Sequence, residues 1–371
     1  MKIIIVIGVF EIGGAERQAL LLAKGLQSYG HDVAIWGFGD GILRNQCLDL
    51  GIDTRVIGMC WAHDLLSKVI SIVAFRRMLK AFSPDILIPF TLVPNIFCAL
   101  SFGYPSIWNQ RDEGVERFSK TIEWFAIRQA KFFVANSTGG ARHIKKIARQ
   151  KKNTDVAIIQ NGVSLRSITP DTSEILLCPE KGGGVTFVMV ANLSPAKDHE
   201  TLLKAWQYFF KKNPSQTPNA RLILAGRKDA SYEKIAGLIE LYELADSVMV
   251  LGQVKDVPQL LKISDVFVLT SRSEGQSNAV IEAALIGLPI LGSNIEGISS
   301  CIPPLSREML TRNGDFESLA SRFQDLYGDE AKRHALGREN SIWASEVFSV
   351  TGMVSSYNNL ISEVINKSKP Q

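Results

Sequence analysis

Short, almost wholly apolar runs alternate with helix-patterned stretches along nearly the whole chain, and that alternation limits the fold more than any other feature. A run such as Val266-Phe267-Val268-Leu269 offers no polar face to water, so it reads as a strand covered on both sides. Runs of this kind at 2–9, 32–36, 53–57, 85–90, 106–109, 131–135 and 156–159 give one series of expected strands. Runs at 185–191, 221–225, 248–251, 266–269 and 289–292 give a second. Strands separated by helices form parallel sheets with helices on both faces. At 371 residues the chain exceeds one ordinary core, so each series is expected to build its own domain. The expected fold class is α/β, with two Rossmann-like, doubly wound parallel-sheet domains facing a central cleft, where the carboxyl ends of the strands offer ligand sites.

The boundary falls where the patterning stops. Residues 166–184 hold Pro170, Pro179 and Gly182-Gly183-Gly184, the composition of a linker or exposed hairpin. This divides the chain into a first domain at 1–165, a second at 185–345, and a C-terminal helix within 346–371 that is long enough to cross back to the first domain.

Composition removes several functions. A net charge of +4 argues against a general nucleic-acid binder. The five cysteines (Cys47, Cys60, Cys98, Cys178 and Cys301) have no metal-site or disulfide spacing and are expected to be reduced thiols. The opening Met1-Lys2-Ile3-Ile4-Ile5-Val6-Ile7 is too short for a signal h-region and lacks a cleavage site, so it reads as a strand. No stretch approaches the roughly 20 apolar residues that span a bilayer. A cytoplasmic protein is expected, with peripheral membrane contact at most.

The chemistry concentrates in Thr270-Ser271-Arg272-Ser273-Glu274-Gly275-Gln276-Ser277-Asn278-Ala279-Val280-Ile281-Glu282-Ala283-Ala284-Leu285-Ile286-Gly287-Leu288-Pro289. A polar loop follows a strand and opens a helix from about Ala279 to Ile286, capped by Ser277 or Asn278 and stopped by Gly287 and Pro289. The free N–H groups of such a helix end attract an anion such as a diphosphate. Glu274 lies in the loop and Glu282 in the helix. Ser271, Glu274, Gly275, Glu282 and Ala283, with Gly287 and Pro289, resemble the Glu-x7-Glu signature of the retaining GT-B glycosyltransferases of family 4.

Other stretches extend the resemblance. Gly13-Gly14-Ala15-Glu16 after the first strand is similar to the family's Gly-Gly-Ala-Glu opening, where backbone approaches a ligand closely. Gly30-His31-Asp32-Val33 is similar to its Gly-His-x-Val, which makes His31 structural. Val190-Ala191-Asn192-Leu193-Ser194-Pro195-Ala196-Lys197 stands where the family has Gly-Arg-Leu and then Lys. Lys197 fits the lysine, while Asn192 replaces the arginine and brings no charge, so diphosphate binding leans on Lys197. Leu251-Gly252-Gln253-Val254 matches a loop beside the nucleotide base. Gly297 alone matches a later Gly-Gly-x-x-Glu loop.

On the acceptor side the family often has a histidine after a mid-domain strand. Here the stretch reads Trp108-Asn109-Gln110-Arg111-Asp112, leaving Arg111 as the substitute polar group or as partner in a surface salt bridge to Asp112 or Glu113. His63 is an outside candidate. Arg142, Lys145, Lys146 and Arg149 share one helical face, which reads as a solvated face or as a dock on anionic lipid.

The resemblance implies transfer of a sugar from a nucleotide diphosphate sugar, UDP-sugar favoured, to a glycan or lipid-linked acceptor in cell-surface polysaccharide or glycolipid synthesis. It implies retention of configuration and no metal. Glu274, Lys197 and Arg111 would serve the chemistry. Gly13, Gly14, Asn192, Lys197, Gly252, Gln253, Val254, Glu274, Gly275, Gln276, Ser277, Asn278, Ala279 and Glu282 would hold the donor, Glu274 at the sugar hydroxyls and Glu282 at the ribose. A sugar-nucleotide epimerase and a non-catalytic sugar-nucleotide-binding subunit are the alternatives. A nicotinamide enzyme is disfavoured, because Gly-x-Gly-x-x-Gly is absent.

Overall fold

The computed structural model describes residues 1–11, 13–58, 65–111, 120–148, 154–165, 184–212 and 219–368. They form two units, Met1–Gly162 with Phe348–Gln371, and Val163–Val347. The stretch expected to be a linker lies, apart from Gly184, outside the described residues.

In the first unit the apolar opening is the central strand β1 (Lys2–Val9), flanked by β2 (Asp32–Gly39) and β4 (Ile86–Pro89), with β3 (Asp53–Val56) beyond β2. A parallel bridge from Leu87 to Ser106 leads to β5 (Ile107–Gln110), β6 (Phe132–Ala135) and β7 (Val156–Ile158). All pairings are parallel. Strand β2 runs three residues past its expected end, because Gly37-Phe38-Gly39 dilutes the apolar pattern without ending the ladder.

Side chains of β1 alternate between two helix layers, as a strand's two-residue period requires. Ile3, Ile5 and Ile7 pack with α1 (Gly14–Ser28), α2 (Leu43–Asp49) and α14 (Val350–Ser368). Ile4 and Val6 pack with α3 (Leu65–Phe82) and with Phe97 and Cys98 of α4 (Leu92–Ala99). Helix α4 also joins α5 (Lys120–Gln129) and α6 (Thr138–Ile147) around Trp108 and Phe133. The C-terminal helix α14 packs in the first unit. Met353, Val354, Tyr357, Ile361 and Val364 recur at helical spacing and are buried, and Asn358 Oδ1 lies 2.7 Å from His31 Nε2. His31 is structural, as expected.

The second unit repeats the plan. Its six-stranded parallel sheet has the order β10 (Val248–Gly252), β9 (Arg221–Ala225), β8 (Thr186–Val190), β11 (Val266–Leu269), β12 (Ile290–Ser293), β13 (Leu310–Thr311). Strand β13 has only two residues, too few to leave a pattern in the sequence. Phe187, Trp206, Phe209 and Phe323 meet edge-on or tilted between β8, α7 (His199–Lys212) and α12 (Phe316–Gly328).

Among the described residues no helix is long and apolar enough to cross a membrane. Cys47, Cys98 and Cys301 are free and buried. Burial pushes the Cys47 thiol up to about 11 and the Cys301 thiol to about 12, leaving both inert. Cys60 and Cys178 lie outside the described residues.

Candidate active site

The order of strands in the second unit reverses direction between β8 and β11. The loops after these two neighbours leave in opposite directions, and such a switch point is where open α/β sheets bind ligands. After β8 the chain passes Asn192, makes a 3-10 turn at Pro195–Lys197, and enters α7 through Asp198 in the left-handed region (φ 47°). After β11 it forms the loop 270–277 and enters α10 (Asn278–Ile286). Ser277 is the cap, its Oγ accepting from Val280 N at 3.5 Å, and Gly287 ends the helix at φ 92°.

The two loops are laced together. Arg272 N donates to Ala196 O at 2.8 Å, and Arg272 Nη2 to Asp198 Oδ1 at 3.0 Å. Thr270 Oγ1 donates toward the Lys197 and Asp198 carbonyls at 3.2 and 3.1 Å. At the centre, Lys197 Nζ forms an ion pair with Glu274 Oε1, which also accepts from Ser271 Oγ at 2.7 Å. Their side chains are only 24% and 14% exposed, so neither charge is fully hydrated. Gly297 fits beneath, since a Cβ there would lie 2.3 Å from Glu274 O. Gly297 O in turn accepts from Ser277 N at 3.1 Å. This explains the one residue of the later glycine motif that is present. Glu282 is buried on α10, just beyond its first turn. Gln276 and Ser277 are buried too, while Asn278 and Ala279 are part-exposed at the helix start.

Asn192 serves its neighbour loop. Its Oδ1 accepts from Arg227 N at 3.3 Å, and Leu193 N donates to Arg227 O at 3.0 Å. The close fit requires Gly226, where a Cβ would lie 1.9 Å from Ala191 O. Arg227 was missed in the sequence. Its side chain is half exposed and pairs with Asp229 at 3.5 Å, while its backbone adjoins the position that lacks the expected arginine. The signal was Gly226 directly after β9. Gly252 (φ 77°) ends β10 and accepts from Gly226 N at 2.7 Å; Gln253 beyond it is exposed and Val254 buried.

His199 opens α7 beside Lys197. Its ring is buried, and neither nitrogen has a hydrogen-bond partner among the described residues. Burial, aided by the Lys197 charge and opposed by Asp198, pushes its pKa down from 6.5 to about 4. The unfolded chain then binds a proton more readily than the native one between those values, so stability is full above pH 6.5 and falls as pH drops toward 4. The loss is about 3 kcal/mol at its limit. Urea unfolding at both ends of this window should show that His199→Leu sheds much of the acid sensitivity; equal sensitivity in both proteins would assign it to other groups.

In the first unit, Gly13 is the cap of α1 with extended backbone (φ −131°), so its conformation does not demand glycine; a Cβ would instead crowd the Glu16 carboxylate at 2.3 Å. Gly14 begins the helix. The Arg111 guanidinium is turned inward. Its Nη1 is shielded from solvent, Nη2 donates to Asn161 Oδ1 at 2.6 Å, and the guanidinium lies 5.0 Å from the Phe90 ring centroid. Burial holds its pKa below the usual value, with Tyr357 alongside. Asp112, Glu113 and His63 lie outside the described residues. Arg142, Lys145 and Lys146 are exposed on α6, and Arg149 lies outside the described residues.

Comparison with known proteins assigns a family. The model described as glycosyl transferases group 1 matches residues 179–343, and that described as Glycosyltransferase Family 4 matches 12–167. The chain belongs to the family 4 GT-B glycosyltransferases. A UDP-Gal:alpha-D-GlcNAc-diphosphoundecaprenol alpha-1,3-galactosyltransferase of Escherichia coli is 32% identical over 40% of this GT-B chain and 38% of its own length. The match thus spans well under half of that relative. A Campylobacter jejuni alpha-1,4-N-acetyl-D-galactosaminyltransferase, named for a PP-undecaprenol-linked substrate, is 24% identical over 99% of both chains. Among solved structures, Anabaena Alr3699/HepE in complex with UDP and glucose superposes with a TM-score of 0.83 at 20% identity, covering 98% of this chain and 100% of its own; this likeness shows the fold.

Proposed function

We propose that this chain transfers a sugar from a UDP-sugar to a lipid-linked glycan, with retention of anomeric configuration. The observation that carries the reading is the Lys197–Glu274 pair at the β8/β11 switch point. A cation and a carboxylate side by side suit a donor with a diphosphate next to a polyhydroxyl ring. Relatives named for UDP-Gal and for undecaprenol-linked substrates support the choice of donor and acceptor.

In this reading the diphosphate takes the Lys197 ammonium and the N–H groups that open α10, from Gly275 to Ala279. Arg227 supplies the second cation that Asn192 lacks. Glu274 accepts from sugar hydroxyls and Glu282 from the ribose. Gly252, Gln253 and Val254 border the base. Arg111 is a positioning residue that fixes the Asn161 loop. The bond from the anomeric carbon to the diphosphate oxygen breaks as the bond to the acceptor oxygen forms on the same face. The acceptor's proton passes to the departing diphosphate, whose charge Lys197 and the helix N–H groups stabilise without a metal.

A radiolabelled UDP-sugar panel, incubated with undecaprenol-linked glycans and a chelator, tests this. Label should enter the lipid fraction, with release of UDP and an α-linkage from an α-donor. Absence of transfer across the panel contradicts the function, an inverted product contradicts retention, and full reversible loss on chelation contradicts metal independence.

A further inference from the structure

The two helix layers of the first unit differ sharply in charge. Helices α1, α2 and α14 carry Glu16, Asp49 and Glu363 among four cations. Among the described side chains, the helices of the opposite layer, α3 to α6, carry seven, three in α3, one in α5 and three in α6, against the single carboxylate Glu123. That carboxylate is buried and accepts from or pairs with His143 Nε2 at 2.9 Å, so it offers little negative charge to the outer face.

The same layer exposes large apolar side chains. Helix α3 buries Phe75 and Leu79 against the sheet and turns a continuous stripe outward. Val69, Ile70 and Val73 (50, 59 and 43% exposed) come first, and Arg76, Arg77 and Lys80 follow on the same face, since positions three, four and seven apart align on a helix. Phe102, 51% exposed, sits beside it, its carbonyl accepting from Arg76 Nη2 at 3.2 Å. On α5, Trp124 is 40% exposed, with the Arg128 guanidinium 4.7 Å from its ring centroid. Apolar side chains with cations alongside, and no exposed carboxylate on these helices, match an anionic lipid interface. Side chains enter the acyl boundary, cations rest on headgroups, and tryptophan sits between. A nucleic acid would use the cations but gain nothing from Val69, Ile70 and Val73.

We propose that the outer face of α3 to α6 docks this chain on a bilayer containing anionic lipid, with Val69, Ile70 and Val73 entering the acyl boundary and Arg76, Arg77, Lys80, Arg142, Lys145 and Lys146 lying on headgroups. This widens the role suggested by the sequence for α6 alone and places the apolar anchor on α3. Docking does not depend on sugar transfer, so the two fail separately.

Flotation of the full chain with phosphatidylcholine vesicles, with and without phosphatidylglycerol, tests it. The wild type should float with the anionic vesicles and much less with the neutral ones, and salt should weaken the binding. Arg77→Ser/Lys80→Ser should weaken it about fivefold per cation removed, roughly 25-fold together. Val69→Ser/Ile70→Ser should weaken it about tenfold at any salt concentration. Both pairs are exposed, and unchanged circular dichroism and melting confirm folding. Failure of the wild type to float, or equal flotation with neutral vesicles, overturns the proposal. So does binding to RNA that needs Arg77 and Lys80 while Val69→Ser/Ile70→Ser leaves vesicle binding unmoved, which would make the layer a polyanion site.

Discussion

Glu274→Ala should collapse sugar transfer, by a hundredfold or more, while UDP binds at least as well as before. The size follows from misplacing a reacting group, which costs on the order of a hundredfold per ångström. The sparing of UDP follows from the geometry: Glu274 contacts Lys197 and Ser271 and lies in the loop ahead of α10. Removing it takes away no group assigned to the nucleotide and releases the Lys197 ammonium from its carboxylate. UDP affinity should therefore hold or rise about fivefold, the scale of one part-exposed ion pair. Initial rates with saturating donor, set beside UDP titrations, check both halves. Transfer that survives Glu274→Ala removes this carboxylate from the reaction.

Lys197→Ala should have the opposite signature, a loss of UDP affinity of roughly 10- to 150-fold, since a charge-assisted contact to phosphate is worth about 1.5–3 kcal/mol. Asn192 brings no charge to share that load. Arg227 does, from the neighbouring loop, but its side chain is half exposed and so contributes less, about fivefold on Arg227→Ala. The two cations would act on one diphosphate, so the double variant should lose more than either single one. Two effects follow from the fold here and not from the Lys197 motif alone: Arg227→Ala weakens UDP, and uridine, lacking the diphosphate, is indifferent to both substitutions. UDP affinity unmoved in Lys197→Ala would take this residue out of the site.

What could be read in the sequence was whatever a local pattern encodes. Residues 265–289 announced strand, polar loop and capped helix, and the structure has them within one residue. Most strands of the two units were legible because they are apolar on both faces, unlike the two-residue β13. The pairing of Lys197 with Glu274 was not, because they lie 77 residues apart and meet only when β8 and β11 become neighbours. Arg227 was hidden for the same reason: in one dimension it is an ordinary charged residue after a strand. His199 reads as a polar helix start, and only burial of its ring makes it acid-sensitive. Arg111 reads as a strand-end cation open to solvent, and the inward turn comes from Phe90, Asn161 and Tyr357, which no local pattern links to it. The basic face of α6 was visible by helical spacing. The apolar stripe of α3 was not, since Val69, Ile70 and Val73 look like core until Phe75 and Leu79 take the inner face.

The central claim is that unit two holds a nucleotide sugar with its diphosphate at the start of α10, sugar toward Glu274 and ribose toward Glu282. Calorimetric titration of UDP into the wild type, Glu274→Ala and Glu282→Ala tests it most directly. The account predicts saturable binding to the wild type, affinity kept or raised in Glu274→Ala, and a fall of roughly 10- to 150-fold in Glu282→Ala, the worth of one charged hydrogen bond to the ribose. Equal losses in both variants, or an unchanged affinity in Glu282→Ala, would contradict it.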